Sequence, residues 1–222
     1  VFWRVSPAVE VPPAEVVDPT IRTRLGLHQS HGVVMRLSAL FALDAFAGGF
    51  VMQSFIAFWF SERFGVDPAV LGVILFGANI LAAVSALAAG PLAARFGLVR
   101  TMVYTHLPSN VLLILVPLMP TLPLAVLVLL VRFSISQMDV PTRQSYTMAI
   151  VAPDERSAAA GVTGIARSLG VAASPLIAAP LLIGSAYIGA PFVIAGSLKI
   201  VYDLLLYRRF QAVRPPEERA QG

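Results

Sequence analysis

Cysteine is absent from these 222 residues, so neither a disulfide framework nor a thiolate metal site is available. Charge is scarce too, with Asp, Glu, Lys and Arg together only 13% of the chain. Histidine occurs at His28, His31 and His106 alone, and no two of these share one apolar run, which removes the paired imidazoles of a metal centre. No Gly-x-Ser-x-Gly motif occurs to seat a serine nucleophile, and no catalytic residue or cofactor is expected. The formal charge of +4 is spread between apolar runs rather than gathered on one face, which argues against nucleic acid as a partner.

Apolar residues are what the chain has in excess. They make up 57% of it, and the mean hydropathy is +0.80, more than one water-soluble core of this length can hide. Six runs are long enough to cross a bilayer as helices, at about 34–60, 69–93, 101–119, 123–143, 158–183 and 188–207. In lipid every backbone polar group needs an internal partner, and a barrel strand would be half this length with alternating polarity. The fold class expected is therefore an all-α membrane protein with six transmembrane helices. Its partners begin with the lipid bilayer.

Basic residues orient it. With the first helix running outward, the inner side holds Arg4, Arg22, Arg24, Arg36, Arg95, Arg100, Arg156, Arg208, Arg209, Arg214 and Arg219, and the outer loops hold Arg63 alone. Eleven against one places both ends in the cytoplasm of a multi-pass protein of the cell (inner) membrane. Residues 1–33 are rich in proline and mixed in charge, without an apolar signal core, and read as a cytoplasmic linker ahead of a six-helix domain at 34–210. The opening Val1 suggests a chain cut from something longer. Residues 211–222 read as a solvated cytoplasmic tail.

The stretch "GPLAARFGLVR", Gly90 to Arg100, resembles the short cytoplasmic loop of the major facilitator superfamily (MFS), a glycine followed after three residues by an acid, a base, any residue, a second glycine and further bases. Gly90, Arg95 and Gly97 match in register, with Arg100 beyond them, while Ala94 stands at the acidic position and Leu98 at a basic one. With six helices, an inward linker and a basic tail, the chain resembles the carboxy-terminal half of such a transporter. That resemblance implies two three-helix repeats of inverted topology around a cavity lined by helices one and four. It also implies a secondary carrier, most commonly a proton-coupled exporter of small molecules that works as an antiporter. Its partners would be a small-molecule substrate, a proton or other coupling ion, and either an amino-terminal six-helix half or a second copy of this chain.

Polar residues inside the helices are the site candidates. On a regular helix Arg132, Ser136, Asp139 and Arg143 fall within an arc of about 60°, with Gln137 and Gln144 pointing elsewhere. Arg132 lies near mid-bilayer, where an unpaired charge costs about 2.5–3.5 kcal/mol on insertion scales, so the stripe must face protein or water. Asp139 and Arg143 read either as a pair closing the inner gate with the Gly90–Arg100 loop or as part of the path. Asp44 on helix one reads as a proton acceptor or as a fixed partner of Arg132 or Arg167. Gln53 lies opposite Asp44 on a regular helix and shares its cavity only if Gly48 and Gly49 distort the helix. His106 and Asn110, one turn apart with Pro108 between them, read as a packing hydrogen bond ahead of a pH switch, and Lys199 with Asp203 reads as an intrahelical pair. The excess of Arg132, Arg167 and Lys199 over Asp44 at mid-depth favours an anionic or electron-rich substrate.

Two other readings compete. A six-helix ABC-type permease subunit fits the helix count, and "ERSAAAGVTGIARSLGVAASP" resembles its coupling segment at Glu155 and Gly161, although the alanine pair after the glutamate is missing and Pro175 comes one place late. A half-size carrier that dimerises with itself is the other. The path role of Arg132 has a direct check: Arg132→Ala in the full-length protein is expected to abolish transport with unchanged membrane abundance, and normal transport would remove Arg132 from the path.

Overall fold

The computed structural model describes residues 25–184 and 188–213. Residues 1–24, 185–187 and 214–222, and with them most of the expected linker and tail and Arg4, Arg22, Arg24, Arg214 and Arg219, lie outside the described residues. Eight α-helices form six membrane-length spans: α1 His31–Gly49 with α2 Gln53–Phe64, α3 Pro68–Phe96, α4 Leu98–Leu115, α5 Leu122–Ser136 with α6 Asp139–Ala149, α7 Arg156–Gly184, and α8 Ala190–Phe210. No strand occurs among the described residues.

Connections follow local chemistry. Between α2 and α3, Gly65 adopts the left-handed conformation that ends the first helix, and Asp67 caps the second by accepting the Ala69 N–H at 2.8 Å ahead of Pro68. Between α3 and α4 there is one residue, Gly97, at φ 87°, a backbone state that a side chain would strain. The second glycine of the loop motif thus turns the chain between two spans.

Lipid explains the outer surface. Val73, Phe76, Ile80, Val84 and Leu87 recur at helical spacing along α3 and stay at least half exposed. Such a stripe suits apolar surroundings rather than water. On its other face α3 buries a narrow seam of Ala78, Ser85 and Ala89, small residues that let α5 and α6 approach closely. Elsewhere glycine does this work. A Cβ at Gly170 of α7 would run into the Ala42 carbonyl of α1, and one at Gly49 would collide with Ser174, so α1 and α7 pack backbone to backbone. The ends of α2 and α8 meet through rings, with Trp59 and Phe192 at 5.2 Å between centroids and Phe55 and Phe192 at 5.4 Å.

The packing pattern is that of an inverted repeat. Span one packs on span five and span two on span four; span three packs on span six; span one also meets six, as four meets three. Exchanging one with four, two with five and three with six leaves this set unchanged. The exchange also carries one interruption onto the other, because the first span of each triplet is broken. The break at Phe50–Met52 follows Gly48 and Gly49, and the Phe50 and Val51 amides bond back three residues, to Ala47 and Gly48. The break at Gln137–Met138 precedes Pro141, which has no N–H for the Gln137 carbonyl four residues back and whose ring crowds it. At the same break the Gln137 N–H donates across to the Ser85 hydroxyl of α3 at 3.3 Å, a partner that apolar surroundings require.

At the end of the bundle where α1 starts, the approach segment is fastened to the α6–α7 turn. Backbone N–H groups of His28, Gln29 and Ser30 all donate to the Glu155 carboxylate, the last two at 2.7 and 3.0 Å, and Glu155 is fully buried beneath them. The His28 ring bonds Asp154 at 2.7 Å, and that hydrogen bond raises the imidazole above its ordinary pKa. A histidine raised in the folded state adds stability that is complete below its unfolded value of about 6.5 and is lost as pH climbs through the folded value. Hydrogen exchange at Gln29 and Ser30, corrected for intrinsic rates, should therefore be slower at pH 6 than at pH 9, and His28→Gln should flatten the difference. Equal pH dependence in wild type and variant would contradict this role for the ring.

Candidate functional site

Asp44 lies about 20 Å along α1 from His31 and is 4% exposed. Three cations from three other helices converge on its carboxylate. Lys199 Nζ of α8 donates to Oδ1 at 2.5 Å, Arg143 of α6 to Oδ2 at 3.1 Å, and Arg167 of α7 to Oδ2 at 3.4 Å. Arg143 also donates to Asp139, one turn back on α6, at 3.0 Å, and its guanidinium lies 5.3 Å from the centre of the Phe41 ring. Four spans thus meet at one carboxylate.

A second network adjoins the first. His106 and Asn110 on α4 both bond Asp203 of α8, from Nδ1 at 2.8 Å and from the amide nitrogen at 2.9 Å, and all three are buried. The other imidazole nitrogen is 3.9 Å from Asp44, so His106 stands between two carboxylates. Tyr202 packs against its ring edge to face. The intrahelical Lys199–Asp203 pair expected from spacing does not form: Lys199 turns to α1 and Asp203 to α4. Residues one turn apart on α8 have found tertiary partners, which a sequence spacing cannot show.

The other candidates divide. Arg132 is separated from Asp139 and Arg143 by the break, so the continuous stripe expected on a regular helix is cut. Its Nε is buried without a hydrogen-bond partner, its guanidinium lies 5.1 Å from the Phe133 ring, and among the described residues it makes no ion pair. Gln53 opens α2 beyond the other break and is exposed, away from the Asp44 cluster. In the loop motif Arg95 and Arg100 are exposed, Arg95 lying 5.4 Å from the Phe96 ring, and neither has an ion pair among the described residues; Gly90 has open space around it. Arg143, grouped with that loop by the sequence reading, turns inward to Asp44 instead. No group able to hold a metal occurs among the described residues.

Two cavities flank the cluster. One of about 440 Å³ is walled by Arg143, Arg167, Gln144, Phe41, Met148 and Gly164 among others. A second of about 480 Å³ runs on past Gly164 and Arg167 to Ser168, Val171 and Ala172. Gln144, placed off the stripe by the regular-helix reading, belongs to the first wall.

A six-span helical bundle with an inverted repeat, a broken first helix in each triplet and a buried charge cluster beside a cavity has the architecture of a membrane transport protein. Comparison with known proteins names the family. The sequence model of the Major Facilitator Superfamily matches residues 37–222, and the chain belongs to this superfamily of membrane transporters. An uncharacterized membrane protein of Saccharomyces cerevisiae, YJR124C, is 28% identical over 200 residues, which is 90% of this chain and 44% of that protein, so the chain spans less than half the relative's length. No solved structure matches.

Removing the central carboxylate leaves the buried Lys199 amine without its ion pair and Arg143 with Asp139 alone. Asp44→Asn is expected to destabilise the purified protein by about 3–5 kcal/mol, and adding Lys199→Met should recover part of that loss by removing an uncompensated charge. Unfolding curves in one detergent measure both, and a double variant less stable than Asp44→Asn alone would contradict the pairing.

Proposed function

We propose that this chain is the carboxy-terminal half of a secondary active carrier that moves a small molecule across the membrane at the expense of a proton gradient. The observation that carries the reading is the Asp44 cluster: two of its three cations, Arg143 and Arg167, also wall a cavity of a size that holds a small molecule. The yeast relative is long enough to contain this chain and a second unit of similar size, which supports the half-carrier reading.

The proton is assigned to His106 rather than to Asp44. Asp44 already faces Lys199, Arg143 and Arg167, and protonating it would take the carboxylate from Lys199 and Arg167 and leave Arg143 with Asp139 alone. Asp44, Asp139 and Asp203 balance Arg143, Arg167 and Lys199, three against three, so the cluster is neutral with neutral His106. His106 faces Asp203 and Tyr202 on α8, Asn110 on its own helix and Asp44 on α1. Either carboxylate stabilises an imidazolium there, and the proton leaves an excess positive charge that a substrate can answer.

The test uses full-length protein in proteoliposomes under an imposed pH gradient, with a panel of labelled small molecules. A substrate should accumulate against its gradient, and His106→Ala should reduce that accumulation by about tenfold while solute exchange across the same vesicles continues. Folded wild-type protein that moves no solute would overturn the carrier. Undiminished accumulation by His106→Ala would overturn the proton assignment.

A further inference from the structure

We infer that the cavity between α1, α6 and α7 is a binding site for an amphipathic organic anion, whose acidic head sits on Arg167 and whose apolar body lies against Phe41 and Met148. This inference rests on the carrier reading and names the substrate class of its site.

Charge pairing comes first. Lys199 lies nearest Asp44, at 2.5 Å, and Arg143 is shared between Asp44 and Asp139 at 3.1 and 3.0 Å. Arg167 is the outermost of the three. Its side chain is 35% exposed, against 6% for Arg143 and 10% for Lys199, and its one polar contact among the described residues is a single N–H reaching Asp44 at 3.4 Å. A guanidinium carries five N–H donors, so most of this fork is uncommitted. It opens on the cavities, because Arg167 walls both.

The wall also excludes the alternatives. No carboxylate is among the residues that line either cavity, so a cationic ligand would meet guanidinium groups and no acidic side chain at the wall, the carboxylates of Asp44 and Asp139 lying behind the arginines. The hydroxyls of Thr147 and Thr163 already donate to the Arg143 and Ala159 carbonyls, which leaves the arginines and the Gln144 amide as the available donors. A neutral ligand would leave Arg167 as it is. A carboxylate or phosphate would receive a forked pair of N–H bonds, shorter and stronger than the present contact to Asp44. Against the head stands an apolar surface: Phe41, Met148, Ala160 and the bare Gly164 backbone. A volume of about 440 Å³ is far more than an inorganic anion needs, and within the range of small-molecule sites. The two requirements together describe an anion with an apolar body, either a free solute or the headgroup end of an anionic lipid.

Binding can be read without transport. Full-length protein in phosphatidylcholine nanodiscs is dialysed to equilibrium against labelled naphthalene-2-carboxylate, its neutral carboxamide and acetate. The carboxylate should be retained, with the carboxamide and acetate at least about tenfold weaker. Arg167→Gln should weaken the carboxylate by about tenfold or more. Gly164→Leu is the second variant: a Cβ there meets open space, so the helix tolerates it while the longer side chain fills the cavity with Arg167 intact. It should lose the carboxylate as well. Carboxamide binding equal to that of the carboxylate, wild-type binding in both variants, or no retention of the carboxylate would each overturn the site. Nanodiscs containing phosphatidylglycerol separate the sources: competition that depends on Arg167 assigns the anion to lipid, and undiminished binding assigns it to solute, each with the anion site upheld. Transport of neutral solutes only would remove the anion and keep the carrier, whereas anion binding without transport would do the reverse.

Discussion

A carboxylate in a membrane interior must be neutralised, and at Asp44 the neutralising charges come from three other spans. Lys199, Arg143 and Arg167 reach it from α8, α6 and α7, Arg143 sharing a second carboxylate in Asp139. The apolar faces of these helices cannot choose a register among themselves, because lipid solvates them as well as a neighbour does. Directional ion pairs can choose. The close approach of α1 to α7 at Gly170 and Gly49 agrees with this, since it brings the Arg167 side chain to a carboxylate on the facing helix.

The two helix breaks set where this charge is placed. Each interrupts the first span of a repeat, so Asp44 ends up in the longer part of span one and Arg143 with Asp139 in the shorter part of span four. In α6 the short segment buries Asp139, Thr142, Arg143, Tyr146 and Thr147, while α5 before it is apolar up to Arg132. The interruption separates a segment built for lipid from one built for the cluster.

Much of the fold was legible because the bilayer restricts the choices so strongly. Six apolar runs had to be helices, and their existence follows from length alone. What escaped were local departures and tertiary partners. The break in span four had a signal, Pro141, whose missing N–H falls on Gln137; the break in span one had Gly48 and Gly49. Treating Arg132 to Arg143 as one regular helix joined Arg132 to a stripe that the chain divides, and turned Gln144 away from a cavity it lines. Spacing put Lys199 with Asp203, because residues one turn apart are near in every helix. It could not reveal that α1 and α4 offer each of them a better partner. Asp44 is 99 residues from Arg143 and 123 from Arg167 along the chain, and their meeting is a property of packing.

The cluster, the cavity and the histidine pair form one continuous arrangement. Asp44 holds the cations, Arg167 carries one of them to the cavity wall, and His106 links Asp44 to Asp203. The claim on which this arrangement rests is the partner of Lys199. An experimental structure of the full-length protein in lipid, at a resolution that resolves side chains, tests it most directly. The account predicts the Lys199 amine within ion-pair distance of Asp44, with Arg143 on the other carboxylate oxygen. Lys199 paired with Asp203 instead, and Asp44 open to water or lipid, would contradict it.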